Sequence, residues 1–493
     1  MTEVSADAVV VNLFEGVKQP GGGTGAVDRA LDGLISGLIG AGEIKGKLNE
    51  VTLLHTGGKL GSARVVVVGL GEREKFDLDR VRQVAGTTAR FLNGKGCRRV
   101  ATILHGGGVG GIEAGLAGLA IAEGTMMGLH EFDTHKTKDK KQSVLEEVVV
   151  AETEAGKMAG IERGLERGMK GAAAANLARD LVNEPPNEMT PVVLAEKAKT
   201  EAERYGMGVE ILEREQMEAL GMGGMLSVSR GSAQAPKLVV MRYEGGKGRK
   251  VALVGKGVTF DSGGVSLKPA TGMEDMKTDM AGAAAVIGAM GAICECGLAA
   301  NVVGVIPAVE NMPGGNASKV GDVIRCLNGK TVEITNTDAE GRLILADAMV
   351  YAAKLGATRM VDFATLTGGC VVALGNAASG IMGNERGWVE RVMGAGAEAG
   401  EKMWELPLLA EYEELMESAI ADIKNAGGRE ASPIQGGIFL REFVEGGVEW
   451  AHVDIAGTAV LSKDRPYQAK GATGVGVRTM LNLIWSETSQ GRE

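Results

Sequence analysis

Short apolar runs alternate with longer amphipathic stretches along the first part of the chain. Runs rich in Val, Ile and Leu predict strands, whereas apolar residues spaced three or four apart predict helices. The predicted strands are 8–13, 50–54, 64–68, 99–104 and 147–150, and the predicted helices are 26–39, 78–92 and 111–127. Such alternation is typical of an α/β unit.

One helical pattern covers residues 151–182, where charged side chains such as Glu162 and Arg163 alternate with small apolar residues. The pair Pro185-Pro186 should end this helix, because proline and the residue before it both resist helical backbone angles. We predict that this stretch links two domains.

Beyond residue 190 the two patterns alternate again. The predicted strands are 238–243, 250–254, 300–306, 331–335, 359–364 and 450–455. The predicted helices are 191–205, 282–294, 343–354, 388–399, 401–404 continuing into 408–418, and 474–485. A chain of 493 residues is too long for one ordinary core. We therefore expect an α/β protein with domains at 1–150 and 183–493.

Composition and charge narrow the class of protein. A hydrophobic content of 44% is normal for a soluble globular protein, and 77 glycines indicate many tight turns. The net charge of −10 argues against broad nucleic-acid affinity, which needs basic surface. A local cluster of lysines at 136, 138, 140 and 141 is interpreted as a solvated loop.

Cysteine usage and apolar run length bear on the compartment. The five cysteines are scattered, which predicts reduced thiols in a cytosol-like compartment. The longest apolar run, 280–294, is shorter than the roughly 18 residues that a membrane span needs. We interpret it as a core helix.

The most informative segment is Asn336-Thr337-Asp338-Ala339-Glu340-Gly341-Arg342-Leu343. If the segment is extended, Asp338 and Glu340 point the same way and can converge on one cation. Hard carboxylate oxygens beside a guanidinium suggest a metal site with an anion held next to it. A solvated turn with a surface ion pair is the alternative interpretation.

A second cluster favours the metal site. The apolar run 251–254 predicts a buried strand, which leads into Lys256, Asp261 and several glycines, and then into Lys268 and Asp279. Open α/β sheets bind their ligands at this end of a strand. From the residues alone, Lys256 is interpreted as an anion-binding group. No histidine lies between residues 250 and 345, so a metal must be held mostly by carboxylates, which suits Mn²⁺, Mg²⁺ or Zn²⁺.

Together these loops resemble those of the leucyl aminopeptidase family, the cytosolic dinuclear metallo-exopeptidases. The octet 336–343 is present in full, and the lysine and aspartate loop keeps the family spacing. The resemblance spans roughly residues 170–485 and includes Asn183-Glu184-Pro185-Pro186-Asn187, Thr365-Leu366-Thr367-Gly368-Gly369 and Gly471-Ala472-Thr473-Gly474. It implies a C-terminal catalytic domain with a mixed central sheet flanked by helices.

The resemblance also implies a role for each matching residue. Asp261 and Glu340 would bridge two divalent ions, Mn²⁺ or Zn²⁺. Asp338 would complete one site, and Lys256 with Asp279 would complete the other. As a ligand, Lys256 must lose its proton, so its pKa must be strongly lowered by two nearby cations and by burial.

Two further residues carry the chemistry that the resemblance implies. The Lys268 ammonium would stabilise the oxyanion, and Arg342 would hold a bicarbonate ion that accepts a proton from the attacking water. Arginine cannot itself be the base, because it stays protonated at neutral pH. A helix beginning near Leu343 would add its positive dipole end to the anion site.

The substrate cleft follows from the same resemblance. Backbone at Thr365, Leu366 and Gly368 would line the cleft, and Met276, Ala456 and Ala459 would form the side-chain pocket. Ala459 is smaller than the methionine of some members, so the pocket could be wider and the leucine preference weaker. A free α-amine on a short peptide would bind one metal.

The family further implies a cytoplasmic homohexamer with its active sites enclosed. Two other functions are alternatives to the aminopeptidase. A two-metal phosphoesterase would also use a carboxylate-rich site without histidine. A DNA-binding or scaffold role is possible on the same fold, because fold and site do not exclude a second function.

Overall fold

The computed structural model describes residues 1–108, 110–140 and 143–489. Contacts divide the chain into two compact units. The N-terminal unit contains Met1–Ala173 together with Lys463–Lys470, and the second unit contains Ala174–Ser462 and the chain from Gly471 onward. The sequence pattern did not indicate that Lys463–Lys470 belongs to the N-terminal unit.

The N-terminal unit is built on one five-stranded sheet. Its strands are β1 (Ala8–Phe14), β2 (Val51–His55), β3 (Arg64–Gly71), β4 (Arg99–Ile103) and β5 (Glu147–Ala151). Its helices are α1 (Gly22–Ala30), α2 (Leu34–Gly40), α3 (Leu78–Gly94), α4 (Ala114–Leu129) and the first part of α5 (Ala155–Asn183), and a 3₁₀ turn covers Arg73–Lys75. The order is β2-β3-β1-β4-β5, and only the edge pair β2–β3 is antiparallel in this sheet.

Both faces of this sheet are buried, which explains its continuous valine runs. On β3, Val65 and Val67 belong to one apolar cluster, while Val66 and Val68 belong to another. The predicted helix 26–39 is wrong in one respect, because it is two helices. Asp32 and Gly33 both have positive φ, at 55° and 79°, and this left-handed backbone ends α1 before α2 begins.

The predicted linker helix overlaps α5, which ends at Asn183, ahead of the two prolines. The contact division falls inside this helix, between Ala173 and Ala174. The domain limits at 150 and 183 therefore stay a prediction.

The second unit is built on a larger mixed sheet. Its strands are β6 (Gly208–Leu212), β7 (Lys237–Glu244), β8 (Lys250–Gly255), β9 (Gly257–Asp261), β10 (Asn301–Asn311), β11 (Val323–Arg325), β12 (Thr331–Glu333), β13 (Arg359–Ala364), β14 (Ser379–Gly383), β15 (Met403–Glu405), β16 (Ile423–Lys424), β17 (Glu449–Asp454), β18 (Val460–Leu461) and β19 (Gly471–Ala472). The main sheet has the order β15-β14-β17-β13-β8-β10-β7-β6, with β9 paired to β10. This confirms the predicted α/β class and the mixed central sheet.

Helices cover the sheet. They are α6 (Pro191–Arg204), α7 (Arg214–Leu220), α8 (Gly223–Ser229), α9 (Ala281–Glu295), α10 (Gly341–Lys354), α11 (Gly368–Leu374), α12 (Arg386–Ala399), α13 (Ser432–Arg441) and α14 (Val477–Ser489), and 3₁₀ helices cover Met273–Thr278 and Ala410–Met416. The apolar run 280–294 is the buried core helix α9, as predicted. A Cβ on Gly282 would lie 1.9 Å from the Phe363 carbonyl oxygen, so only glycine lets α9 pack this closely on the sheet.

One local prediction is corrected here, and a second agrees with the structure. The predicted segments 401–404 and 408–418 do not form an α-helix; they contain strand β15 and the 3₁₀ helix Ala410–Met416, with Pro407 between them. Lys136, Lys138 and Lys140 are exposed, as predicted for a solvated loop, and Lys141 lies outside the described residues. No helix within the described ranges is long and apolar enough to cross a membrane.

Candidate metal centre

The charged cluster lies where the parallel strands of the larger sheet end. Strands β10, β8 and β13 are neighbours and run parallel. Lys256 directly follows β8, Asp261 ends β9, and Thr365 directly follows β13. The carboxyl ends of adjacent strands meet at one edge, which is where open α/β sheets bind ligands.

Each lysine of the cluster contacts two carboxylates. Lys256 Nζ lies 2.7 Å from Asp279 Oδ1 and 2.8 Å from Glu340 Oε1. It also donates to the Thr365 carbonyl oxygen at 2.9 Å, and the Thr365 hydroxyl donates to Asp279 Oδ1 at 2.7 Å. Thr365 therefore supports both Lys256 and Asp279.

The second lysine holds the other two acids. Lys268 Nζ lies 2.7 Å from Asp261 Oδ2 and 2.5 Å from Asp338 Oδ1. Carboxylate oxygens of Asp261, Asp338 and Glu340 all lie within 4.8 Å of one another, close enough to share one ion. The structure thus brings together the five predicted ligands and Lys268.

The octet is not extended, which corrects the reason given for its convergence. Residues 334–340 form a turn, and Glu340 has αR backbone angles of −76° and −37° as the residue that caps α10. Asp338 and Glu340 still converge because the turn folds them toward Asp261. Helix α10 begins at Gly341, two residues earlier than predicted.

Two glycines are required by the cluster itself. A Cβ on Gly341 would lie 2.6 Å from Lys256 Nζ, so a larger residue would displace the amine. Gly263 has φ of 86°, and a Cβ there would lie 2.8 Å from Asp338 Oδ1. Glycine is the residue that tolerates this backbone conformation and leaves room for the carboxylate.

The electrostatics of the cluster favour added positive charge. Burial, followed by the neighbouring Glu340 carboxylate, raises the pKa of Asp261 to about 6. Burial also raises the pKa of Asp279 well above its usual range. Four carboxylates face two ammonium groups here, so negative charge is in excess, and bound divalent cations would offset it.

The carboxylates around Lys256 keep its amine protonated at neutral pH. Burial alone would lower its pKa, but Asp279, Glu340 and Asp261 outweigh burial and raise the pKa. The lowered pKa expected of a ligand amine depends on the cations themselves and stays a prediction. Asp279 Oδ2 is buried without a hydrogen-bond partner among the described residues, which fits an oxygen that would bind a metal.

Arg342 lies in the first turn of α10 and is buried. Its Nη1 donates to the Asn425 carbonyl oxygen at 2.8 Å, and its Nε has no hydrogen-bond partner within the described part of the chain. Burial lowers the pKa of Arg342 to about 10, with Glu340 and Asp454 opposing that shift, so the guanidinium stays charged at neutral pH. It can therefore hold an anion.

The predicted substrate residues lie on segments around this cluster. Met276 is in the 3₁₀ helix just before Asp279, and Thr365, Leu366 and Gly368 follow β13. Ala456 is partly exposed, whereas Ala459 is only 2% exposed and offers little surface to a substrate.

Sequence reasoning missed three buried polar residues. Asn311, at the end of β10, donates to Asp261 Oδ1 at 2.8 Å and to the Thr337 carbonyl at 3.0 Å. Asp454, at the end of β17, accepts from the Leu366 and Ala456 amides at 3.2 and 3.1 Å. Asn425 follows β16. A polar residue closing a long apolar strand could have indicated Asn311, but no local pattern indicates Asn425.

Comparisons with known proteins identify the family. The model of the cytosol aminopeptidase family, catalytic domain, matches residues 176–481, and that of the N-terminal domain of the same family matches residues 10–139. A Geobacter sulfurreducens protein named "Probable cytosol aminopeptidase" is 49% identical and covers 93% of this chain and 92% of its own. A protein of that name from Alkaliphilus metalliredigens is 45% identical, covering 99% and 98%.

Two solved structures share the whole fold. The bottromycin maturation enzyme BotP in complex with Mn has a TM-score of 0.87 and 35% identity, covering 98% of this chain and 100% of its own. A tomato leucine aminopeptidase mutant has a TM-score of 0.86 and 32% identity, covering 98% and 94%. The chain belongs to the cytosol aminopeptidase family. It is a metal-dependent aminopeptidase, which confirms the predicted class of enzyme.

Proposed function

We propose that this enzyme removes N-terminal residues, preferably leucine or other apolar residues, from short peptides by a two-metal mechanism. The observation that carries the proposal is the buried cluster of four carboxylates and two lysines at the sheet edge. The similarity to a leucine aminopeptidase and to a structure holding Mn supports it.

The residues that would hold the ions are Lys256, Asp261, Asp279, Asp338 and Glu340. Asp261 and Glu340 would contribute ligands to both of two ions, Mn²⁺ or Zn²⁺. When bound, the ions would polarise the scissile carbonyl and lower the pKa of the attacking water. Lys256 would then bind as a neutral amine.

Lys268 and Arg342 would supply the remaining chemistry. The Lys268 ammonium is partly exposed and would face the developing oxyanion, contributing on the order of 3–4 kcal/mol. Arg342 would hold bicarbonate through its Nε, beside the N-terminal end of α10. The buried guanidinium keeps its own proton, so Arg342 would act by holding this anion, which when bound would supply the base for the attacking water.

Recognition of the peptide would use the rest of the cleft. Thr365, Leu366 and Gly368 would line it, and the free α-amine would lie at the Lys256 and Asp279 end. Met276, Ala456 and Ala459 would form the pocket for the first side chain. The low exposure of Ala459 means that its backbone and its neighbours would shape this pocket more than its methyl group.

We also propose that six copies assemble into a homohexamer in the cytoplasm, enclosing the sites and admitting short peptides. The two bacterial relatives are named as probable cytosol aminopeptidases, which supports the cytoplasm. Light scattering at assay concentration tests the assembly, and an active monomer would contradict it.

A panel of aminoacyl anilides tests the activity. Leucine, methionine and phenylalanine anilides should be hydrolysed faster than aspartate or glycine anilides, with Mn²⁺ or Zn²⁺ present. N-acetyl-leucinamide should be inert where leucinamide is cleaved, because an acetylated nitrogen has no free lone pair for a metal. Equal kcat/KM for the two amides would rule out an aminopeptidase that reads the α-amine.

A further inference from the structure

The side chain of Asn425 is fully buried directly after strand β16, almost ninety residues downstream of the octet. Strand β16 pairs in parallel with β12, the strand that leads into the octet. Asn425 therefore lies beside the segment that carries Asp338 and Glu340. Its contacts show what it does there.

The carboxamide of Asn425 forms hydrogen bonds with both amide and carbonyl groups of that segment. Its Oδ1 accepts from the Thr335 amide at 2.8 Å and from the Asn336 amide at 3.3 Å. Its Nδ2 donates to the Asn336 carbonyl at 2.7 Å and to the Ala339 carbonyl at 3.4 Å. One side chain thus continues the hydrogen bonding of β12 after the strand itself has ended.

The turn that carries Asp338 and Glu340 needs such a side chain, because its backbone no longer pairs with a neighbouring strand. Buried backbone groups without partners cost about 1–3 kcal/mol each, so this turn needs a donor and an acceptor from elsewhere. A carboxamide is the side chain that offers both in one plane. Replacing it removes side-chain hydrogen bonds to the backbone of residues 335, 336 and 339, on both sides of Asp338.

The backbone of the same residue holds Arg342. The Asn425 carbonyl accepts from Arg342 Nη1 at 2.8 Å, while the Asn425 amide donates to the Glu333 carbonyl at 2.9 Å. The guanidinium and the ligand turn are therefore attached to one residue. A shift of Asn425 would move both at once.

We infer that Asn425 is a positioning residue that fixes Asp338 and Glu340 for metal binding and aligns Arg342 with them. The inference rests on the proposed ligand roles of Asp338 and Glu340. Residues that orient ligands from behind typically change metal affinity or activity by about 10–100-fold when replaced. Asn311 does this for Asp261 from the opposite strand, but it does not contact Arg342 in the described structure.

The test is Mn²⁺ titration of metal-free protein, together with thermal unfolding and the response of kcat to added bicarbonate. Asn425→Ala should bind Mn²⁺ about 10–100-fold more weakly than wild type at one site or more. With Mn²⁺ at saturation its bicarbonate response should also fall, because the residue-425 carbonyl that accepts from Arg342 is kept but loses the side-chain hydrogen bonds that fix its position. Asn311→Ala should lose Mn²⁺ affinity and keep that response.

Asn384→Ala is the matched control. Its carboxamide also bridges backbone groups, donating to the Val448 carbonyl and accepting from the Trp450 amide, both at 2.8 Å, at the start of β17 and not in the octet. It should lower Tm and leave Mn²⁺ affinity unchanged. If Asn425→Ala does not fold, Thr335→Val removes one hydroxyl bonded to Asn425 and Ala426 and should weaken Mn²⁺ binding less, in the same direction.

The outcomes separate the possibilities. Wild-type Mn²⁺ affinity in Asn425→Ala, or in Thr335→Val if only that variant folds, would overturn the inference and leave Asn425 a fold-stabilising residue. Lost affinity with a normal bicarbonate response would overturn the link to Arg342. Wild-type protein that binds no Mn²⁺ would instead refute the proposed function, whatever the variants do.

Discussion

The N-terminal unit and the catalytic unit both place polar side chains near the ends of adjacent parallel strands. These side chains are neutral in the N-terminal unit and charged in the catalytic unit. In the first, Asn12 Nδ2 of β1 donates to His105 Nδ1 at 3.0 Å, and Thr102 Oγ1 lies 3.2 Å from His105 Nε2. Both ring nitrogens have neutral partners. Burial lowers the pKa of His105 to about 4, so the imidazole is neutral at physiological pH.

The catalytic unit instead buries charge at the corresponding edge. Lys256 and Lys268 each contact two carboxylates there, and negative charge remains in excess. Neutral hydrogen-bonded groups complete a core, whereas excess buried carboxylates need cations. The same α/β architecture is therefore structural in one unit and catalytic in the other, which shows that function belongs to the residues at the edge and not to the fold.

Removal of divalent metal gives the largest expected effect. Dialysis against a strong chelator should abolish hydrolysis of leucine anilide, because the scissile carbonyl and the attacking water both lose their activation. Added Mn²⁺ or Zn²⁺ should restore it. Full activity in a sample shown by elemental analysis to be metal-free would place the chemistry outside the carboxylate cluster.

Lys268→Ala should give the next largest effect. We expect kcat to fall about 10²–10³-fold, since one donor to the oxyanion is lost. Metal content should change little, because Lys268 is assigned to the transition state and not to the ions.

The control for Lys268 is Lys59→Ala in the N-terminal unit. Lys59 Nζ lies 2.7 Å from Asp32 Oδ2, the same distance as Lys268 from Asp261, but its side chain is 51% exposed. Exposed ion pairs contribute little, so kcat and Tm should stay near wild type. Weakened metal binding in Lys268→Ala, with a normal kcat once Mn²⁺ is saturating, would exchange the roles of Lys268 and Lys256.

His105→Gln should give the smallest effect on catalysis and a measurable effect on stability. At pH 7.5 kcat should equal that of wild type. His105 has a folded pKa of about 4 and an ordinary value of 6.5, so the unfolded chain takes up a proton first. The contribution of His105 to the free energy of unfolding of the N-terminal unit is therefore fully present above pH 6.5. It falls as the pH drops toward 4, by about 3 kcal/mol.

Hydrogen exchange of peptides from β1 and β4 measures this fall locally. Protection in wild type should decrease more between pH 7 and pH 4.5, after correction for intrinsic exchange rates, than in His105→Gln. A parallel decrease in both proteins would mean that His105 does not carry the pH dependence of the unit.

Local patterns predicted the elements well where one face or both faces of a strand are buried. The predicted bounds of strand β13, 359–364, agree with the structure, because its apolar residues Met360, Val361 and Phe363 are buried. The pattern failed at 401–418, where Pro407 and the edge of the sheet override helix propensity. It also failed at Asp32, since a left-handed residue leaves no periodic signal.

The sequence by itself determined the α/β class, the two charged loops and, through the octet, the family. These features depend on residue type and spacing within short segments, which the chain carries in any conformation. Only the tertiary structure decided that the octet is a turn, that Lys463–Lys470 joins the N-terminal unit, and that Asn311 and Asn425 support the acids. Those facts depend on which distant strands become neighbours, and hydrogen bonds between residues almost ninety positions apart exist only once the sheet has formed.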